Sequence, residues 1–118
     1  MWRDLLRRLL SRLGLIEPPA LVVKFSAQHP NPAELKDGVV VVVLGDSHPK
    51  WACFRCPGGC GGRFQLPLNP DRRPQWIVTT DWLHRATISP SVLQTNGCQA
   101  HFWVRQGKVE WCQDSAPH

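Results

Sequence analysis

The chain has 118 residues, of which 42% are hydrophobic; this suits one compact domain and excludes two independent cores or a large multi-layer enzyme fold. No apolar run reaches the roughly 18 residues of a membrane-spanning helix, so none is expected. Of the net charge of +5, residues 1–13 carry +3 through four arginines and one aspartate. The rest is nearly neutral, which argues against a nucleic-acid partner and leaves a nucleic-acid-binding zinc ribbon as a distant alternative.

An amphipathic helix is predicted for residues 1–14, followed by a Pro linker over residues 15–19. Apolar residues recur at helical spacing within residues 2–13, namely Trp2, Leu5, Leu6, Leu9, Leu10 and Leu13. The arginines occupy the other face, and Gly14 suits a C-cap. One interpretation is that the Leu stripe packs on the chain's own domain. The other is an interfacial anchor for an anionic membrane surface or a partner groove.

The remaining elements are predicted to be strands. Runs rich in Val, Ile, Phe and Trp cover residues 20–26, 39–44, 51–55, 63–66, 76–80, 87–89, 102–105 and 108–111. Residues 28–38 indicate a loop with about one helical turn, and residues 106–107 a two-residue hairpin turn. The predicted fold is therefore a small, mainly β, single-domain antiparallel structure. It comprises a zinc-binding β domain over residues 20–114 and a polar tail over 115–118.

The most specific chemical pattern is a group of cysteines and a histidine. Cys56 and Cys60 are separated by Pro-Gly-Gly, and the glycines let the turn bring both thiolates to one ion. Cys98 and His101 form a second close pair, so the predicted ligand set is Cys3His around a structural Zn(II). Cys53 is an alternative fourth ligand, although strand alternation favours it as a core residue. Five cysteines leave an odd thiol, and their close spacing favours a metal site in a reducing cytoplasm over disulfides.

Several motifs together resemble one bacterial family. They are Lys-Trp-Ala-Cys-Phe-Arg-Cys-Pro-Gly-Gly-Cys-Gly at residues 50–61, Arg-Pro-Gln-Trp at 73–76, Ser-Pro-Ser-Val at 89–92, Gly-Cys-Gln-Ala-His-Phe-Trp-Val at 97–104 and Gly-Lys-Val-Glu-Trp-Cys at 107–112. In this order they are similar to the BubE family of bacterial ubiquitin-like conjugation operons. The chain departs from the family at Gly58, where a further cysteine is common, and at Ala100, where a serine is common.

The resemblance implies a role in a bacterial ubiquitin-like pathway associated with antiphage defence. The implied activity is that of a serine peptidase that matures the ubiquitin-like protein or removes it from targets. The implied partners are the ubiquitin-like protein and the E1-like and E2-like proteins of the pathway. The implied location is cytoplasmic, with peripheral contact to the inner membrane if the first helix is an anchor. A non-catalytic zinc-binding adaptor for the same partners is the alternative function.

Ser91 is the candidate nucleophile. It follows Pro90 in a rigid turn and belongs to one of the motifs that carry the resemblance; Ser89 is the second candidate. A hydroxyl at a Pro turn also commonly serves only to satisfy backbone groups. A catalytic Ser91 needs a general base within hydrogen-bond distance of its hydroxyl, whereas a structural Ser91 does not.

The general base depends on the metal site. His101 is the only histidine within such a motif, and it can act as base only if it does not bind zinc. If His101 is a ligand, Asp81 and His84 are the remaining candidates; if Cys53 completes the metal site, His101 is free. A metallopeptidase is not expected, because three thiolates weaken the Lewis acidity of zinc and no HExxH motif occurs.

Tryptophans are the remaining candidates for a binding surface. Trp76 and Trp82 lie in a polar segment and could line a groove for an extended C-terminal tail. Trp51, Trp103 and Trp111 alternate with apolar strand residues, which predicts core positions.

Overall fold

The computed structural model describes residues 2–16, 19–94 and 99–113. Its elements in chain order are helix α1 (Trp2–Arg12) and strands β1 (Val22–Ser26), β2 (Val39–Leu44), β3 (Pro49–Arg55), β4 (Arg63–Pro67), β5 (Ile77–Thr80), β6 (Ala86–Leu93), β7 (His101–Arg105) and β8 (Lys108–Trp111). The strands form two four-stranded sheets in the orders β1-β2-β3-β4 and β5-β6-β7-β8. Within the described part of the chain, no helix is long and apolar enough to cross a membrane. The predicted tail at 115–118 lies outside the described residues.

The two sheets share one core. Val40 and Val42 of β2 are almost completely buried, and Val43 is buried on the other face, as a continuous run of valines predicts for a strand covered on both faces. Phe54 and Phe64 of the first sheet stack at 5.0 Å and meet Phe102 of the second sheet edge-on at 6.5 and 5.7 Å. Since these aromatic contacts cross between the sheets, they fix the two layers against each other.

The prediction of an antiparallel fold is wrong for one strand pair. β1 and β2 are parallel, with Val22 opposite Val39, whereas the other ladders are antiparallel. A parallel pair needs a crossover connection. Here it contains the predicted helical turn, a short 3-10 helix over Pro32–Glu34 in which the side chain of Asn31 accepts a hydrogen bond from the Ala33 N–H. The apolar runs in the sequence do not show whether two neighbouring strands are parallel or antiparallel.

Strand β6 is longer than the sequence predicts, because it continues past Pro90. In the ladder with β7, Ile88 lies opposite Val104 and Val92 opposite Phe102, so residues 89–91 bulge opposite a single residue. Proline has no N–H to donate, and a bulge is one of the few places where a sheet accommodates it. The prediction that this strand ends at residue 89 is therefore wrong.

Helix α1 contacts the domain through its polar side. The guanidinium of Arg7 is buried and donates hydrogen bonds to the carbonyl oxygen of Leu83 at 3.1 Å and to the carboxylate of Asp4 at 2.6 Å. Asp4 also contacts the His84 ring at 3.2 Å, and this hydrogen bond, together with the Arg7 contacts, holds the pKa of Asp4 below its usual value. Of the predicted apolar face, Leu6 and Leu10 are partly buried, whereas Trp2, Leu5, Leu9 and Leu13 are exposed. The interpretation in which the whole face packs on the chain's own domain is therefore wrong.

Candidate active site

Ser91 and His101 form a hydrogen-bonded pair. The Ser91 Oγ lies 3.1 Å from the His101 Nε2, which is within the distance at which an imidazole accepts a hydroxyl proton. Ser91 lies in the bulge of β6, and His101 is the first residue of β7. The ladder that places Leu93 opposite His101 brings the two side chains together across the strands.

The pair lies on the outer face of the second sheet. Successive strand residues point to opposite faces. Val92 and Phe102, which follow Ser91 and His101 in their strands, are opposite each other and almost completely buried in the core. Ser91 and His101 therefore point away from the core, and both are only partly buried. A substrate approaching this face meets the hydroxyl and the imidazole without any rearrangement of the core.

Two hydrogen bonds hold the backbone on either side of the pair. The indole Nε1 of Trp76 donates to the carbonyl oxygen of Ser91 at 3.2 Å. The backbone N–H of Cys112 donates to the carbonyl oxygen of His101 at 2.9 Å. Trp76 thus supports the serine rather than lining an open groove, which corrects its predicted role. These two hydrogen bonds hold the backbone in place, so that the side chains of Ser91 and His101 keep their relative position.

Replacing Trp76 with phenylalanine is expected to lower kcat by about tenfold. The substitution keeps an aromatic ring but removes the donor to Ser91, so the bulge loses one hydrogen bond worth about 1 kcal/mol. The measurement is kcat and KM of peptide-bond cleavage, with thermal unfolding to check the fold. A positioning role predicts a change mainly in kcat. A loss confined to thermal stability, with unchanged kcat, would show that Trp76 is only a packing residue.

Cys56 and Cys60 come together around a buried glutamine. Both sulfur atoms lie 3.8 Å from the Oε1 of Gln94, whose side chain is buried just beyond the end of β6. The N–H of Gly62 donates to the Cys60 sulfur at 3.4 Å. A Cβ at Gly62 would clash with the amide group of Gln94, so a larger residue here would require that amide to move. The turn therefore brings both thiols to one glutamine side chain, and the zinc knuckle stays a prediction.

The other predicted ligands are placed differently. Cys98 lies outside the described residues, and among the residues that the structure does describe no group of three or more metal-ligating side chains occurs. Cys53 is buried in a separate small cluster with Leu35, and its sulfur lies 3.9 Å from the Nε2 of His29. Burial raises the pKa of the Cys53 thiol. The location of Cys53 agrees with its prediction as a core residue.

The alternative bases have other partners. The Asp81 carboxylate accepts hydrogen bonds from the backbone and side chain of Arg85, the closer at 2.6 Å. Burial raises the pKa of Asp81, but these hydrogen bonds and one from Leu83 outweigh it and hold the pKa below its usual value. His84 contacts Asp4 of the first helix. These two residues stabilise the turn before β6 and the docking of α1.

A cleft of about 1010 Å³ is lined mainly by residues of the second sheet; Ser91 and His101 are not among them. Ser89 and Trp103 line it, and each is two residues along its strand from a member of the pair. The Arg105 guanidinium stacks over the Trp103 ring at 4.6 Å, so the indole is half-buried in the wall of the cleft. Trp103 was predicted as a core residue. His101, Trp103 and Arg105 alternate along β7, and this alternation could have predicted that their side chains lie on the same face of the sheet.

A serine hydroxyl hydrogen-bonded to a histidine imidazole, beside an open cleft, is the arrangement by which serine hydrolases activate their nucleophile. The structure is thus a small, mainly β fold that carries a serine–histidine pair of the kind found in serine hydrolases. The chain belongs to the BubE family, described as the bacterial ubiquitination-like system serine protease, whose model matches residues 27–112, about three quarters of the chain. This confirms the resemblance seen in the motifs. Neither curated proteins nor solved structures gave a match.

Proposed function

We propose that this protein is a serine peptidase acting on the ubiquitin-like protein of its own pathway, either to mature its C-terminal end or to release it from targets. The single observation that carries the proposal is the 3.1 Å contact between Ser91 Oγ and His101 Nε2 on an accessible sheet face. Membership in a serine protease family of a bacterial ubiquitination-like system supports the same chemistry.

The proposed reaction is acyl transfer to serine. As the Ser91 Oγ attacks the carbonyl carbon of the scissile bond, His101 Nε2 takes the hydroxyl proton. The protonated imidazole then gives this proton to the leaving amine, and the C–N bond breaks to leave an acyl ester on Ser91. Water attacks the ester with His101 again as base, which releases the carboxylate and restores the hydroxyl. Each step needs only one serine and one imidazole in contact.

The cleft is proposed to hold the extended tail of the ubiquitin-like protein. Its volume and its position beside the pair suit a stretch of polypeptide. Trp103 offers an apolar wall, while Lys108 and the ion pair between Arg105 and Glu110 offer charged groups at the far side of the cleft. An extended chain lying along β7 would bring its scissile carbonyl to Ser91.

We also propose that Zn(II) is held by the thiolates of Cys56, Cys60 and Cys98. The support is the convergence of the first two sulfur atoms on Gln94, four residues before the third cysteine in the sequence. Thiolates are the donors that zinc prefers. In this assignment His101 serves Ser91, because a zinc-bound imidazole cannot shuttle protons. The metal would brace the hairpin that carries the pair.

Replacing Cys60 with serine is expected to reduce bound zinc from about one per chain to nearly none and to lower the Tm by roughly 10 °C, because metal binding contributes to folding free energy. Elemental analysis and thermal unfolding measure the two effects. Cys112→Ser, at the end of β8, is the matched control and should keep the metal. Wild-type protein purified without zinc would refute the assignment.

The test of the proposed activity is incubation of the purified protein with a precursor of the ubiquitin-like protein that carries a C-terminal extension. The peptidase proposal predicts two products separated at one bond, detected by mass spectrometry. If the wild type forms a stable complex with the precursor, or with the E1-like or E2-like protein, but never cuts the precursor, the protein is an adaptor instead.

A further inference from the structure

Helix α1 is docked with its charged side inward. Arg7 is 8% exposed and is bound to Leu83 and Asp4, while Ser11 donates to the Arg7 carbonyl oxygen one turn earlier. These residues share one side of the helix, since positions three and four apart lie on the same face. The side opposite to them must therefore point away from the protein. In this helix that side is the apolar one.

The outward side is a continuous apolar stripe. The side chains of Trp2, Leu5, Leu9 and Leu13 are between 52% and 64% exposed. Trp82, also more than half exposed, extends the stripe, since its ring centre lies 6.5 Å from that of Trp2. A contiguous exposed stripe of this kind marks an interaction surface rather than ordinary surface composition. The polar anchoring of the helix keeps the stripe in this orientation.

The arginines near the stripe indicate which kind of surface the stripe binds. At 100° per residue, Arg8 and Arg12 border the stripe on one side, whereas Arg3 lies nearer the docked side, with its guanidinium 5.7 Å from the centre of the Trp2 ring. Among the described residues, no ion pair engages any of these three guanidinium groups. An apolar stripe containing Trp, with arginines along one border and a third beside the Trp ring, matches the boundary of an anionic bilayer, where rings and leucines enter the acyl region and cations bind the headgroup phosphates.

We propose that α1 is an interfacial helix that holds the protein reversibly on anionic membranes. The stripe formed by Trp2, Leu5, Leu9 and Leu13 enters the bilayer surface, and Arg3, Arg8 and Arg12 contact the lipid phosphates. With 11 residues, the helix lies parallel to the surface. The Asp4–Arg7 contact with residues 83–84 fixes the domain to the helix, so that the bound protein has one orientation relative to the membrane.

The experiment is co-sedimentation of the full chain with vesicles of phosphatidylcholine alone and of phosphatidylcholine mixed with phosphatidylglycerol. The proposal predicts binding to the mixed vesicles that weakens as salt is raised from 50 to 500 mM, and at least tenfold weaker binding to phosphatidylcholine alone. Wild-type protein that stays in solution with both vesicle types would overturn the proposal and would favour a protein groove as the occupant of the stripe.

Two leucine variants provide the specific control. Leu9→Ser removes one exposed side chain from the stripe and should weaken binding to the anionic vesicles by about tenfold. Leu44→Ser removes an exposed leucine from the end of β2, away from the stripe, and should leave binding unchanged. Since both side chains are exposed, thermal unfolding should be unaffected in both. Equal loss in the two variants, or no loss in Leu9→Ser, would contradict the proposal.

Discussion

Replacing Ser91 with alanine is expected to reduce kcat for precursor cleavage by at least about a thousandfold, with little change in KM or in thermal stability. The substitution deletes the oxygen that attacks the carbonyl but leaves the bulge of β6, the cleft and the core unchanged. Because the Ser91 side chain is only partly buried and its recorded side-chain contact is with His101, its removal leaves no cavity in the core. The measurement is steady-state cleavage of the extended precursor.

Ser89 provides the matched control for this result. It lies in the same bulge and lines the cleft, but it is exposed and two residues away from the hydrogen-bonded serine. Ser89→Ala should therefore change kcat by no more than about twofold to threefold. Full activity in Ser91→Ala together with inactive Ser89→Ala would exchange the roles of the two serines. Comparable loss in both variants would indicate a structural effect on the bulge.

Replacing His101 with glutamine is expected to lower kcat by about a hundredfold to ten-thousandfold while zinc content stays at the wild-type level. Glutamine retains a polar side chain at the start of β7, but it cannot accept and return the proton of Ser91. The two readouts separate the roles that the sequence leaves open. A base affects the rate of cleavage, whereas a ligand would affect metal content and stability as well.

His84→Gln is the control for the histidine variant. His84 was an alternative base, but its side chain contacts Asp4 and so belongs to the docking of the first helix. Its replacement should leave kcat unchanged. If His101→Gln released the zinc, the imidazole would be a ligand and the proposed dyad would be wrong. Loss of activity in His84→Gln with retention in His101→Gln would move the base to the other side of the domain.

Much of the fold could be predicted from residue patterns. The valine run of β2 and the turn at residues 106–107 have the predicted bounds, and Gln106 and Gly107 both have positive φ, as a tight hairpin requires. The parallel pairing of β1 and β2 could not be predicted, because the apolar pattern of a strand does not depend on its direction. The continuation of β6 through Pro90 was missed because proline usually ends a strand.

The sequence identified the two residues of the active-site pair, but it could not predict that their side chains are in contact. Ser91 and His101 are separated by ten positions, and their contact depends on the register that places Leu93 opposite His101 and on the bulge before it. A shift of one residue would turn either side chain into the core. The motif pattern selected the two residues, but only the pairing of β6 with β7 determines that the imidazole faces the serine.

The first helix illustrates a different limit. Helical periodicity identifies a polar face and an apolar face, and it usually implies that the apolar face is buried. Here a partly buried ion pair between Asp4 and Arg7, with hydrogen bonds to residues 83–84, docks the polar face instead. Periodicity describes the faces of a helix, while the polar groups available on the neighbouring turn decide which face is buried.

The measurement that tests the central claim most directly is labelling with a fluorophosphonate, which reacts with a serine oxygen only when a base activates it. Intact-mass analysis followed by peptide mapping should show one adduct per chain, located on Ser91, with none on Ser91→Ala and much slower labelling of His101→Gln. An adduct on a different residue, or an unlabelled wild type that still cuts the precursor, would contradict the assignment of this serine and histidine as the reacting pair.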